Sequence, residues 1–185
     1  MRRTLPIFLA ASIMLTACAA EKPAEEVPVE VAPSVAPEVI TDGLPIDAMP
    51  AVARTEQTAC PYLDTDWVAD TNGQRVTGYG IDERFSTPSC VYYSFPEEPQ
   101  LTVIVRDMAT TDEAIAVVDW AAPIDSTEPA EEPTGWSGGR RGGNNNSGAL
   151  YAVQKGPTAV IVFTNQDQSL KAQLIAEEVI QNLNL

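Results

Sequence analysis

Cys90-Val91-Tyr92-Tyr93-Ser94-Phe95-Pro96-Glu97-Glu98-Pro99-Gln100-Leu101-Thr102-Val103-Ile104-Val105-Arg106 decides the fold class. The first six residues are aromatic or β-branched apart from one serine and the leading cysteine, which is strand composition. Pro96-Glu97-Glu98-Pro99 breaks the run as a turn. Leu101 to Arg106 resumes it. Two such runs across a short turn read as an antiparallel hairpin, so the chain is built around a sheet.

Before the hairpin, Pro61 suits the first turn of a helix, where its missing N–H costs nothing. A short helix is expected from Cys60 to Ala69, ended by Asn72-Gly73, with Leu63 and Trp67 toward the core. Gln74 to Ile81 reads as a strand weakened by Gly78 and Gly80, and Asp82 to Ser89 as a loop. After the hairpin, Thr110 and Glu113 have the spacing of a capping box. The helix it opens runs from Thr111 to about Ala121 and stops before Pro123, with Ala114, Val117, Val118 and Ala121 on one side. Asp125 to Ser147 shows no periodicity and reads as irregular. Leu150–Gln154 and Thr158–Phe163 are strands joined at Lys155-Gly156-Pro157. The second is apolar on both faces, which places it centrally. A closing helix from about Gln168 to Asn182 carries Ala172, Ile175, Ala176, Val179, Ile180 and Leu183 as one stripe. Leu174 falls on its polar side. The order α-β-β-β-α-β-β-α predicts an α+β fold: a mainly antiparallel sheet of about five strands with helices packed against it.

The N-terminal part has another character. Arg2 and Arg3 precede an apolar run from Leu5 to Leu15, too short for a spanning helix of roughly 20 residues and suited to a signal peptide. Leu15-Thr16-Ala17-Cys18 then has the form of a lipoprotein processing site. Residues 1–17 are expected to be removed, and Cys18 to carry lipid. Several acyl chains anchor a protein stably, at about 0.8 kcal/mol for each buried methylene. Residues 18–56 are rich in Ala, Pro, Glu and Val and lack aromatics. They are expected to be a disordered tether, on the order of 100 Å when extended at about 3.1 Å per residue. That leaves 57–185 as the globular domain.

The 185 residues carry a net charge of −15, which becomes about −17 once Arg2 and Arg3 are lost. Such a surface is repelled by nucleic acid. There is no histidine, so the commonest general base and transition-metal ligand is missing. Of three cysteines, Cys60 and Cys90 remain after Cys18 is assigned to lipid. An even pair in an exported protein reads as one disulfide, which stabilises by about 3–4 kcal/mol through chain entropy.

Several segments carry a family likeness: Cys60-Pro61-Tyr62-Leu63, Asn72-Gly73-Gln74-Arg75-Val76-Thr77-Gly78, Pro88-Ser89-Cys90-Val91-Tyr92 and Leu101-Thr102-Val103. Through them the first half of the domain resembles a family of actinobacterial exported lipoproteins known only as a domain of unknown function. The resemblance implies a secreted α+β domain with Cys60 paired to Cys90. It implies no activity and no catalytic residues.

Three constellations invite a chemical reading. Gly135-Trp136-Ser137-Gly138-Gly139 matches G-x-S-x-G, the nucleophile elbow. It lacks the preceding strand, the following helix and a histidine, which leaves only a Ser–Lys arrangement through Lys155 or Lys171. The glycine-rich run from Gly138 to Gly148 holds the adjacent pair Arg140 and Arg141. With Trp136 they would grip an anionic group by charge, bidentate hydrogen bonds and stacking. Against this stands a plain loop whose arginines pair with Glu131 and Glu132. Asp64, Asp66, Asp70 and Asn72 fail the register of a calcium loop and read as a solvated acidic face. The expectation is a non-enzymatic module on the extracytoplasmic face of the cell membrane, anchored through Cys18, without cofactor or metal. It would contact an envelope protein or a wall or lipid component. The rival is an envelope hydrolase using Ser137, or an accessory subunit of a membrane complex.

Overall fold

The computed structural model describes residues 41–131, 134–144 and 147–185. It contains α1 (Thr65–Asn72), β1 (Gly78–Asp82), β2 (Thr87–Tyr93), β3 (Pro99–Asp107), α2 (Thr111–Ala121), β4 (Glu128–Glu131), β5 (Ser137–Arg141), β6 (Leu150–Lys155), β7 (Thr158–Thr164) and α3 (Ser169–Leu183). The strands form one sheet in the order β1-β2-β3-β7-β6-β5-β4. All neighbours are antiparallel. The chain makes β1, β2 and β3 as a meander and crosses by α2 to the far edge. It returns strand by strand until β7 closes against β3. No helix among the described residues is long and apolar enough to cross a membrane.

The two central strands, β3 and β7, are buried almost throughout because both faces of the sheet are covered. Alternate residues serve two cores. Leu101, Val103, Val105, Val160 and Val162 face α1 and α3, where Ala172, Ile175, Ala176 and Val179 complete the packing. Ile104, Ala159 and Ile161 face α2, with Ala114, Val117, Val118 and Ala121 above them. The stripes read from the sequence of both helices are therefore the buried ones, and Leu174 is 42% exposed. The capping box of α2 is formed: Glu113 N–H donates to Thr110 Oγ1 and Thr110 N–H to Glu113 Oε2, both at 3.2 Å.

Four expectations need correction. The sheet has seven strands, not about five, because the segment read as irregular contains β4 and β5. Helix α1 starts at Thr65 and not near Pro61: Asp64 is its N-cap, its Oδ1 accepting from Trp67 N–H at 2.8 Å. The first strand is β1 at 78–82, later than 74–81, and β2 begins at Thr87, inside the expected loop.

The fourth concerns the tether. Of the residues assigned to it, 18–40 lie outside the described residues, as does the expected signal peptide, 1–17. Residues 42–57 form a strap along the α2 side of the sheet. Arg106 of β3 reaches this strap with a side chain that is 1% exposed. Its Nε and Nη2 take the two carboxylate oxygens of Asp42 at 2.9 Å each, and its guanidinium donates to Leu44 O and Pro45 O at 3.0 Å. Further along, Tyr93 Oη donates to Val52 O at 2.8 Å and Ala51 N–H donates to Asp82 Oδ2 at 2.8 Å. Arg54 donates to Ser94 O and Pro96 O, and Gln57 bridges to Tyr79. The strap crosses β1 where β1 has no side chains. A Cβ on Gly80 would stand 2.6 Å from Val52 Cγ1, and one on Gly78 2.5 Å from Arg54 O. The packed domain thus begins near Asp42 rather than at 57.

Candidate functional site

The stretch from Trp136 to Ser147 is organised by β5. Trp136 is 2% exposed and belongs to the α3-side core, with Lys155 Nζ 5.7 Å from its ring centre. Its ring is therefore unavailable for stacking on a ligand at the surface. Its Nε1 is buried without a hydrogen-bond partner among the described residues. Arg140 lies four residues on, on the same face, and its Nη1 donates to Gln173 Oε1 at 3.3 Å. Arg141 is turned by the pleat to the other face, where Nη2 is 3.4 Å from Ser147 Oγ. The three residues are not brought together as one gripping surface. The two arginines share an edge cleft of about 360 Å³ that Asp125 and Glu128 also line.

The glycines of this run serve packing. A side chain at Gly148 would overlap Thr164 O, and one at Gly139 would press on Thr127 and Ala122. The run reads as a ligand loop in sequence because close backbone approach has one signature whether the neighbour is a ligand or the next strand.

Ser137 opens β5 on the α2 side and accepts a hydrogen bond from Gln154 Nε2 at 3.3 Å. Lys155 stands over Trp136 on the opposite face. Lys171 Nζ is engaged elsewhere, donating to Asn72 O at 2.8 Å at the C-terminus of α1 and to Gln166 Oε1 at 2.9 Å. Neither lysine is placed with Ser137.

A groove of about 350 Å³ runs between α2 and the β4–β5 edge. Ile115 and Val118 of α2 and Ala122 at its C-cap, with Ile124 and Pro129, give it an apolar lining. Asp119 stands at its rim, and Ser137 and Gln154 in its wall, while Glu128 lies opposite Arg140 in the β4–β5 register. Ile115 and Ile124 are 37% and 90% exposed. Sequence reasoning missed this groove. Its trace was two isoleucines off the buried stripe of α2, one of them directly after Pro123.

Cys60 and Cys90 form a disulfide with their Cα atoms 5.7 Å apart. Hydrogen bonds flank it on both sides: Tyr62 Oη donates to Pro88 O at 2.8 Å and Tyr92 Oη to Leu63 O at 3.1 Å. Burial, with a smaller charge effect from neighbours, pushes both phenols well above their ordinary range, so they stay protonated donors. On the strap side, Asp82 is held down to about 2. The Arg84 side chain is the main cause, opposed by burial and helped by the N–H groups of Ala51 and Arg84.

A profile described as a domain of unknown function, DUF2020, matches residues 44–185. The chain belongs to the DUF2020 family. The matched stretch begins at Leu44, so the DUF2020 domain includes the strap from Leu44 onward as well as the sheet, the disulfide and the α2 groove. No curated protein matches the chain. Cys18 lies outside both the match and the described residues.

Proposed function

We propose that this chain is a lipid-anchored, extracytoplasmic binding module of the cell envelope and not an enzyme. The observation that carries the reading is Leu15-Thr16-Ala17-Cys18 behind a basic start and a short apolar run. The Cys60–Cys90 disulfide supports it, because such bonds persist in oxidising compartments. In this reading Cys18 carries the acyl chains, the following Pro- and Glu-rich residues give reach from the membrane, and the DUF2020 domain presents a recognition surface. The absence of histidine from the sequence favours recognition over acid–base chemistry. Expression in a bacterial host fed an alkyne-bearing fatty acid tests it. The wild-type chain takes up the label and sediments with membranes, and Cys18→Ala abolishes the label and moves the chain out of the membrane fraction. Equal labelling of both chains would overturn the reading.

A further inference from the structure

We propose that the strap is a releasable length of the tether, and that the Cys60–Cys90 disulfide is its stop. The inference rests on the reading of Cys18 as a membrane anchor. That anchor puts any load between the membrane and a captured partner on the chain that enters the fold at Asp42. Three observations converge. The first is that the strap is lightly packed. No residue from Asp42 to Ala59 is buried as a whole. Leu44 and Ala48 pack against the α2-side core, but Ile46 and Met49 are 39% and 48% exposed. Every buried member of the two cores lies at Tyr62 or later, so the strap leaves without emptying either. Segments with few buried apolar contacts open on their own, ahead of the fold they lie on.

The second observation is that the polar attachments follow chain order. Asp42 meets Arg106, Ala51 meets Asp82, Val52 meets Tyr93, and Arg54 meets the carbonyls of Ser94 and Pro96. A pull on Asp42 loads these one after another. Release also differs from mutation of the ion pair: both charges return to water, so neither is stranded.

The third observation sets the limit. Cys60 stands three residues after Gln57, the last strap residue to touch the sheet, and is bonded to Cys90 of β2. Beyond Cys60 a load passes through a covalent bond into a strand that is paired on both sides, with β1 and with β3. Release therefore ends at Ala59. The 18 residues from Asp42 to Ala59 join the 24 from Cys18 to Thr41. They add about 60 Å of contour at roughly 3.4 Å per residue.

The test is single-molecule stretching of the full-length, oxidised chain in detergent. It is held by a tag at its N-terminus and by an azide-bearing residue in place of Lys155, which is exposed in the β6–β7 turn. A first step of about 60 Å of contour, reversible when the force is relaxed, precedes unfolding of the sheet. Asp42→Ala lowers the force of the first step and leaves that of the second unchanged. Cys60→Ala with Cys90→Ala lengthens the first step, since nothing then stops the peel at residue 60. A single cooperative unfolding event in the oxidised chain would overturn the proposal, as would a first step unmoved by Asp42→Ala. So would a first step of the same length without the disulfide. Should the cysteine variant fail to fold, the step length of the oxidised chain and the Asp42→Ala arm still decide. None of these outcomes alters the Cys18 labelling result, so the two readings fall separately.

Discussion

Among single residues, Arg106 carries the most consequence. Its guanidinium sits between the sheet and the strap, 5.7 Å from the Phe85 ring centre, and its counter-charge is Asp42, 64 positions earlier. Removing one member of a buried ion pair strands the other, at a cost of about 3–5 kcal/mol. Asp42→Ala is expected to lower the unfolding free energy by that amount in urea titration. Asp42→Ala combined with Arg106→Met recovers most of it, since no charge is then stranded. Equal losses in the single and double variants would mean that the pair is not what holds the strap. Nothing in the sequence around Asp42 announced this partnership, because long-range charge pairing leaves no local pattern. Asp64 was legible as an acidic residue but not as a cap, since Pro61 offered an earlier start for α1.

Asp82 is a second residue of this kind, and it makes the strap pH-dependent. Its folded-state pKa of about 2 lies below the unfolded carboxylate value of about 3.9. The stabilisation it contributes is therefore fully present above about pH 4 and is lost as pH falls through 2. With Arg84 half exposed and screened, the contribution is on the order of 1 kcal/mol. Measured stability should fall between pH 4 and pH 2, and less steeply in Asp82→Asn. Parallel curves for the two proteins would remove Asp82 from the account.

At the scale of elements, the regular pieces were readable and the irregular ones were not. Helices α2 and α3 show their 3.6-residue stripes, α2 has its capping box, and the β2–β3 hairpin has β-branched runs about a proline-bounded turn. Strands β4 and β5 have neither signal. Glu128-Pro129-Ala130-Glu131 and Ser137-Gly138-Gly139-Arg140-Arg141 lack alternation, because one is an edge strand and the other is packed through glycines. The strap was hidden by a composition suited to disorder, and Gly78 and Gly80 were read as a weakness of β1 instead of as its seat. Gly80→Val is expected to lift the strap and cost about 1–3 kcal/mol. Hydrogen exchange checks this: amides in 50–57 exchange faster while those of β6 and β7 keep their protection. Unchanged protection in 50–57 would show that the strap does not need the glycine.

Over the described residues as a whole, α1 and α3 cover one face of an open seven-stranded sheet, and α2 covers part of the other. The strap completes that second face beside β1–β3, and the open ground left between α2 and β4–β5 is the groove. The pairing of Cys60 with Cys90 was legible by counting, once Cys18 was set aside. The groove was not, because it arises from where α2 stops, at Ala121 before Pro123, relative to strands the sequence does not announce. The gripping surface expected of Trp136, Arg140 and Arg141 dissolves for a related reason: a strand pleat separates neighbours that a loop would have kept together.

The central claim, a chain processed and lipidated at Cys18 and folded under oxidising conditions, meets its most direct test in the intact mass of the protein extracted from bacterial membranes. The account predicts a chain that begins at Cys18 and carries a diacylglyceryl group. It also predicts two hydrogens fewer than the reduced form, for the Cys60–Cys90 bond. A mature chain with an unmodified Cys18, or one that begins at another residue, would contradict it.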